Sequence, residues 1–374
     1  MEENYTRRLL KIEAVLNKWL PEKPDPAWFS MVFGQVPISP ELAASLTQPG
    51  WDLVNRGGKR WRPLLSVLIA ETIAGDEAGE AVLPLVPLVE FPHNASLIHD
   101  DIEDNSDERR GKPTIHLIYG NDTAINSGAF LYFLPLACLS AWTEDYHSAY
   151  AEGHNKDNKV LLLAERIWTT WASHMRALHL GQAMDIAWHR DFHSLPSLDE
   201  YDRMCRLKTG CLAKFAAILG VYCSCMGQQD SGEPRIREEL AKTFGDAAEQ
   251  LGVGFQILDD VKNLSTGVPG KKRGDDIVEG KKSLPVLLYL HRYPEKREFI
   301  ARCFTQARAS GLMVPEVEEM IDALEKTGIL EEARKKGLDY IRESSRIFSA
   351  PDIAGFPLKS EGQKLLSGLM ETLS

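Results

Sequence analysis

No two cysteines in this sequence have CxxC spacing; the six present, at 138, 205, 211, 223, 225 and 303, are scattered. That excludes a zinc ribbon and supplies no disulfide framework, so reduced thiols are expected. Long apolar runs are also scarce. The longest, Ala129 to Trp142, is short for a membrane span, because crossing the hydrocarbon core takes about 20 residues. The opening residues, Met1-Glu-Glu-Asn-Tyr-Thr-Arg-Arg, lack the basic-then-apolar order of a secretory signal. Together these features predict a cytoplasmic protein with no stable membrane span. Positive charge is in deficit: 43 Lys and Arg stand against 54 Asp and Glu, a net charge of -11. Nucleic acid is thereby disfavoured as the main partner, since affinity for a phosphate backbone comes from clustered Lys and Arg.

Strand-like alternation is scarce too, and apolar spacing of three and four takes its place, which predicts helix after helix joined by polar loops. With 374 residues, 44% of them hydrophobic, the chain can bury a sizeable core in one or two domains. We expect an all-α, single-domain helical bundle. Residues 1–50 read as an initial helix and then irregular chain among Pro21, Pro24, Pro26, Pro37, Pro40 and Pro49, and residues 51–374 as the catalytic helical domain. Leu240, Phe244, Ala247, Leu251, Phe255 and Leu258 fall on one helical stripe. Ser197 and Glu200 form a capping-box signature that starts a helix running through Lys208, with Gly210 loosening it. Residues 143–158 and 265–280 read as loops.

Two acidic clusters carry the chemistry. In Asp100-Asp101-Ile-Glu103-Asp104, the residues Asp100 and Asp104 share a helix face. Like charges so spaced destabilise a helix by about 0.2–0.5 kcal/mol per pair, so the cluster calls for cations. The run Asp259-Asp260-Val-Lys-Asn263 begins with the same aspartate pair at the end of the apolar stripe. Oxygen ligands of this kind suit Mg²⁺, which keeps several waters and bridges carboxylates to phosphates. One such run is as readily a solvated helix face. Here both are followed by basic residues: Arg109-Arg110 after the first, Lys271-Lys272-Arg273 and Lys281-Lys282 after the second. A diphosphate needs metal on one side and cationic forks on the other. Upstream, Gly57-Gly58-Lys59-Arg60-Trp61-Arg62-Pro63 puts Lys59 and Arg62 one turn apart after two glycines, without P-loop spacing.

Taken in order, GGKRWRP, HDDIEDNSDERRGKP, GQAMD, KTG, GFQILDDVKN and GDDIVEGKKS resemble the motifs of the trans-isoprenyl diphosphate synthases, over roughly residues 50–290. The resemblance implies an isoprenoid-synthase helical bundle around a central cavity, and a homodimer. It implies Mg²⁺, with Mn²⁺ as an alternative, held by Asp100, Asp104 and Asp259, with Asp101 and Asp260 in support. Allylic diphosphate would be met by Arg109, Lys208, Gln256 and Lys272, with Lys271 a neighbouring candidate; Thr209, Gln182, Asp185 and Lys281 are further contacts. Isopentenyl diphosphate would be met by Lys59, Arg62, His93 and Arg110. The allylic C–O bond then ionises, the cation is attacked by the isopentenyl double bond, and a proton leaves to the released diphosphate. Residues one and two turns before Asp100, namely Ser96, Ala95 and Pro92, would floor the cavity, and their small size favours a twenty-carbon product over farnesyl diphosphate, with longer chains as the alternative. Ala95 and Ser96 read equally as small packing residues.

Asn263 stands where many members of that family have Asp, although eukaryotic-type geranylgeranyl enzymes also resemble DDxxN there. Pro84, Pro87 and Pro92 precede Asp100, and Pro92 is expected to kink its helix. His189 and His193 fix no third zinc ligand by spacing; Cys223, Cys225, Trp168 and Trp171 read as packing, and Phe130 to Phe133 as packing or cavity lining. A terpene cyclase of the same helical type would have no use for the isopentenyl diphosphate set. A non-catalytic regulatory subunit would have lost carboxylates, and here position 263 alone departs.

Overall fold

The computed structural model describes residues 2–34, 39–150, 154–224, 234–267 and 272–373. Lys271 and Cys225, named above, lie outside these residues. In chain order the helices are α1 (Glu2–Trp19), α2 (Pro26–Phe33), α3 (Pro40–Asn55), α4 (Trp61–Ala74), α5 (Asp76–Val82), α6 (Pro87–Glu103), α7 (Ile115–Tyr119), α8 (Asn121–Tyr150), α9 (His154–Arg190) and α10 (Leu198–Cys205). There follow α11 (Cys211–Ser224), α12 (Pro234–Ser265), α13 (Asp275–Glu279), α14 (Leu284–Arg292), α15 (Arg297–Ser310), α16 (Pro315–Lys326), α17 (Ile329–Phe348) and α18 (Ser360–Leu373). Two hairpins of two-residue strands, β1 (Glu108–Arg109) with β2 (Lys112–Pro113) and β3 (Asp352–Ile353) with β4 (Phe356–Pro357), are the sheet among the described residues. The all-α reading holds.

The chain divides into two compact units: one of Met1–Met175, Lys214–Gly245 and Phe348–Leu369, the other of Arg176–Ala213, Asp246–Ile347 and Met370–Ser374. In the first, every residue of α4 from Trp61 to Ile73 is buried, as for a helix surrounded by others. In the second, the core gathers Phe304, Ile321, Leu287 and Val253. Along the α12 stripe Leu240, Phe244, Ala247, Leu251 and Leu258 are buried and Phe255 half-buried.

Several expectations are corrected. Irregular chain is found around Pro21 and Pro24, but two of the prolines near the N-terminus start helices: Pro26 and Pro40 take the first helical turn behind the caps Asp25 and Ser39, where a missing N–H costs nothing. Residues 143–150 and 154–158 are helical, and the 265–280 segment contains α13. Pro92 does not break α6. The 48° bend falls between Leu85 and Pro87, and α6 then continues through Pro92 to Glu103. The carbonyl of Leu88, four residues before Pro92, accepts the indole N–H of Trp171 at 3.0 Å, so the acceptor left over by proline is satisfied from outside the helix. Finally, Asn121–Asp145, where helix continues beyond the apolar run 129–142, and Leu198–Ser224 are long and apolar enough to cross a membrane by length and composition; 78% of the second segment's most apolar window is buried within the protein.

Candidate active site

The first carboxylates sit at the C-terminal end of α6, where the helix dipole adds to their mutual repulsion. Asp104 is the C-cap, its N–H bonded to the Asp100 carbonyl at 2.8 Å. The hairpin that follows returns an arginine to them. Its turn residues Arg110 and Gly111 both have positive φ, 55° and 74°, as a two-residue hairpin turn requires. Arg109 Nε and Nη2 meet Asp101 Oδ1 at 2.8 and 2.5 Å, with Asp100 Oδ2 at 3.6 Å. Asp101 has no exposed surface. It serves to hold Arg109, while Asp100 and Asp104 carry the partly accessible carboxylates.

In the same unit, Arg110 Nη1 donates to the Leu53 carbonyl and to Asn94 Oδ1, at 2.9 and 3.2 Å. A Cβ on Gly58 would lie 3.2 Å from Arg110 Nη2, so glycine lets the GGKR turn approach this guanidinium. Arg60, in the left-handed region at φ 45°, is buried between Glu13 of α1 (2.7 Å) and Glu90 of α6 (2.8 Å). Arg62 lies over the Trp61 ring at 4.4 Å. Burial, then the guanidiniums of Arg62, Arg110, Arg60 and Arg109, holds the half-buried His93 well below the usual imidazole range. Burial likewise brings Arg110 down to about 10, with Arg60 and Arg109 adding to it against the attraction of Glu90. So much positive charge in a partly desolvated place suits a ligand with several negative oxygens. Lys59 is exposed at its edge.

The second unit holds the remaining set. Lys208 Nζ meets Asp185 Oδ2 at 2.6 Å, and Thr209 donates to Gln256 Oε1 at 2.9 Å. Gln256 Nε2 and Tyr201 OH donate to the two oxygens of Asp260, at 2.8 and 2.7 Å. Burial pushes Asp260 up to about 6, against these bonds and with Asp259 adding to the rise. Asp260 is thus a held group, and half-buried Asp259 the accessible one. Asn263 is buried; its Oδ1 accepts the Asp276 N–H at 3.2 Å and its backbone carbonyl the Gly274 N–H at 3.0 Å. It fastens the turn that carries Lys272, which is exposed, its N–H bonded to Asp275 Oδ2 at 2.6 Å. Lys281 lies on Glu279 at 2.6 Å, and Gln182 is half-buried on α9.

Each unit therefore gathers its own share of the named residues. Ala95 and Pro92 are buried; Ser96 is half-buried, its hydroxyl on the His93 carbonyl at 2.8 Å. Tyr201, Asn94, Arg60, Glu13 and Glu90 were missed by the sequence reading. Arg60 stood inside a quoted motif; Tyr201 and Glu13 lacked a local signal, since their partners Asp260 and Arg60 lie far away in the chain, whereas Asn94 also donates to Glu90 one turn before it, at 3.0 Å. The donor set fits a hard divalent ion. Among the described residues no group of three or more His, Cys, Asp or Glu could hold a metal alone.

Known proteins place the chain. A geranylfarnesyl diphosphate synthase of Aeropyrum pernix is 28% identical over 85% of this chain and 90% of its own length. A chloroplastic geranylgeranyl pyrophosphate synthase 3 of Arabidopsis thaliana is 35% identical over 66% of this chain and 63% of that one. The crystal structure of a geranylgeranyl pyrophosphate synthetase from Pyrococcus horikoshii superposes with a TM-score of 0.75 at 26% identity, covering 100% of this chain and 98% of that one. The polyprenyl synthetase family profile matches residues 43–321, and the chain belongs to that family.

Proposed function

We propose that this protein condenses isopentenyl diphosphate with an allylic diphosphate to give a trans-prenyl diphosphate of twenty carbons. The observation that carries the reading is that one unit holds Arg62, Arg110 and His93 in mutual electrostatic reach as well as the α6 carboxylates with Arg109. A terpene cyclase has no use for that second anion-binding set, and a non-catalytic subunit none for intact aspartates. Asp100, Asp104 and Asp259 would hold Mg²⁺ or Mn²⁺, which when bound neutralises charge on the departing diphosphate. Arg109, Lys208, Gln256 and Lys272 bind and orient the allylic diphosphate, so that the positive groups are in place before the C–O bond opens. Lys59, Arg62 and Arg110 orient isopentenyl diphosphate. His93, held neutral, can donate one N–H to it without adding charge. The two relatives named above are a geranylfarnesyl and a geranylgeranyl synthase. Small residues at 95 and 96 support a product longer than fifteen carbons. We also place the enzyme in the cytoplasm as a homodimer. The test is incubation with labelled isopentenyl diphosphate and each allylic primer in Mg²⁺. A twenty-carbon diphosphate supports the reading; a cyclised hydrocarbon, or no turnover without another chain, overturns it.

A further inference from the structure

Lys208 and Thr209 lie in a π-turn, Arg206–Gly210, between α10 and α11. A turn of this kind is rare and gathers at functional sites. Here it is gripped on two sides by backbone. A Cβ on Gly181 of α9 would lie 2.4 Å from the Lys208 nitrogen and 2.8 Å from the Leu207 carbonyl carbon. A Cβ on Gly252 of α12 would lie 2.7 Å from Gly210 Cα and 3.2 Å from its nitrogen. No side-chain rotation relieves a contact with backbone.

The register gives these contacts a purpose. Gly181 precedes Asp185 by one turn, and Gly252 precedes Gln256 by one turn, so each glycine shares a helix face with the residue bonded to the π-turn. Those bonds are Lys208 Nζ to Asp185 at 2.6 Å and Thr209 Oγ1 to Gln256 at 2.9 Å. Both weaken steeply over about 1 Å of displacement. Helix propensity does not favour glycine at either position, since alanine stabilises a helix interior wherever it fits.

We propose that Gly181 and Gly252 are positioning residues: they set the spacing of α9 and α12 from the π-turn and thereby aim Lys208, Thr209 and Gln256 at the allylic diphosphate. The proposal rests on those three residues contacting that diphosphate. The test uses the full chain with Gly181→Ala, Gly252→Ala, the milder Gly210→Ala, whose Cβ would meet Glu249 Cγ and its carbonyl at 3.0 Å, and the control Gly245→Ala, whose Cβ would meet side-chain atoms of Ile218 and Lys214 at 3.2 Å or more. Initial rates are measured with each substrate varied, and hydrogen exchange is followed over residues 205–211. Gly181→Ala and Gly252→Ala should lower kcat/KM for the allylic substrate about a hundredfold, leave KM for isopentenyl diphosphate unchanged, and speed exchange in the π-turn. Gly245→Ala should resemble wild type. Equal losses for both substrates, or wild-type kinetics, overturn the proposal. Should the first two variants fail to fold, Gly210→Ala decides by the same split. Absence of turnover in the wild type would sink the functional reading alone, and the exchange difference between Gly181→Ala and Gly245→Ala would still decide the role of the glycines.

Discussion

Asp100 and Asp101 are neighbours in sequence with opposite duties. Asp101 is buried on Arg109 and stabilises the structure, whereas Asp100 meets the same arginine only at 3.6 Å and adds like charge at a helix C-terminus. Asp100→Asn should lower kcat by about 10²–10³-fold while changing stability less than the substitution at Asp101, since relief of like charge offsets the longer ion pair. Asp101→Asn should cost about 1–3 kcal/mol of stability, because Arg109 loses a buried charged partner. Steady-state kinetics and urea denaturation on both variants separate the two effects. Lys282 makes a second residue-level case. It is buried over the Phe304 ring at 4.5 Å and donates to the Trp188 and Gly280 carbonyls. Burial lowers its pKa from 10.5 to about 8, with Arg308 adding to it. The native state therefore binds fewer protons than the unfolded chain between those values, and stability contributed here rises with pH across that window. Below pH 8 both states are protonated and the contribution is flat. Denaturation of wild type and Lys282→Met from pH 7 to 10.5 checks this: the difference between them should change only in the upper part of the range.

At the scale of elements, α6 shows how a helix keeps a proline. Trp171 of α9 supplies the N–H that Pro92 cannot, on the Leu88 carbonyl. Trp171→Phe should destabilise the protein by about 1–3 kcal/mol through the orphaned carbonyl. Pro92→Ala restores the helical N–H, so in that background the same substitution should cost less; thermal denaturation of the four members of the cycle gives the coupling. The same helix carries Ala95, fully buried. Ala95→Phe should shorten the product towards fifteen carbons if Ala95 floors the cavity, and a product of unchanged length by chromatography would leave it a packing residue only. The sequence marked α6 and α12 well because their apolar spacing is local. It could not mark α2 and α3 as readily: prolines usually read as breakers, and their role as first-turn residues depends on the caps Asp25 and Ser39.

For the whole molecule, the reading makes turnover depend on a divalent ion. Treatment with EDTA should abolish product formation, and Mg²⁺ or Mn²⁺ should restore it, with the assay repeated at fixed ionic strength so that screening is not the variable. An enzyme fully active after exhaustive chelation would remove the metal from the scheme.

What the sequence by itself determined was whatever rests on neighbours within a turn or two: an all-helical chain, the capping box at Ser197, the carboxylates at 100, 104 and 259, and the ordered motifs that mark the family. Only the tertiary structure decided which members of those motifs are held and which are offered. Asp101 and Asp260 are enclosed by Arg109 and by Tyr201 with Gln256, Arg60 is consumed by Glu13 and Glu90, and Asn263 fastens a turn. The physical reason is that burial and hydrogen bonding depend on residues brought together from far along the chain, and no spacing rule records which partner a charged side chain will meet.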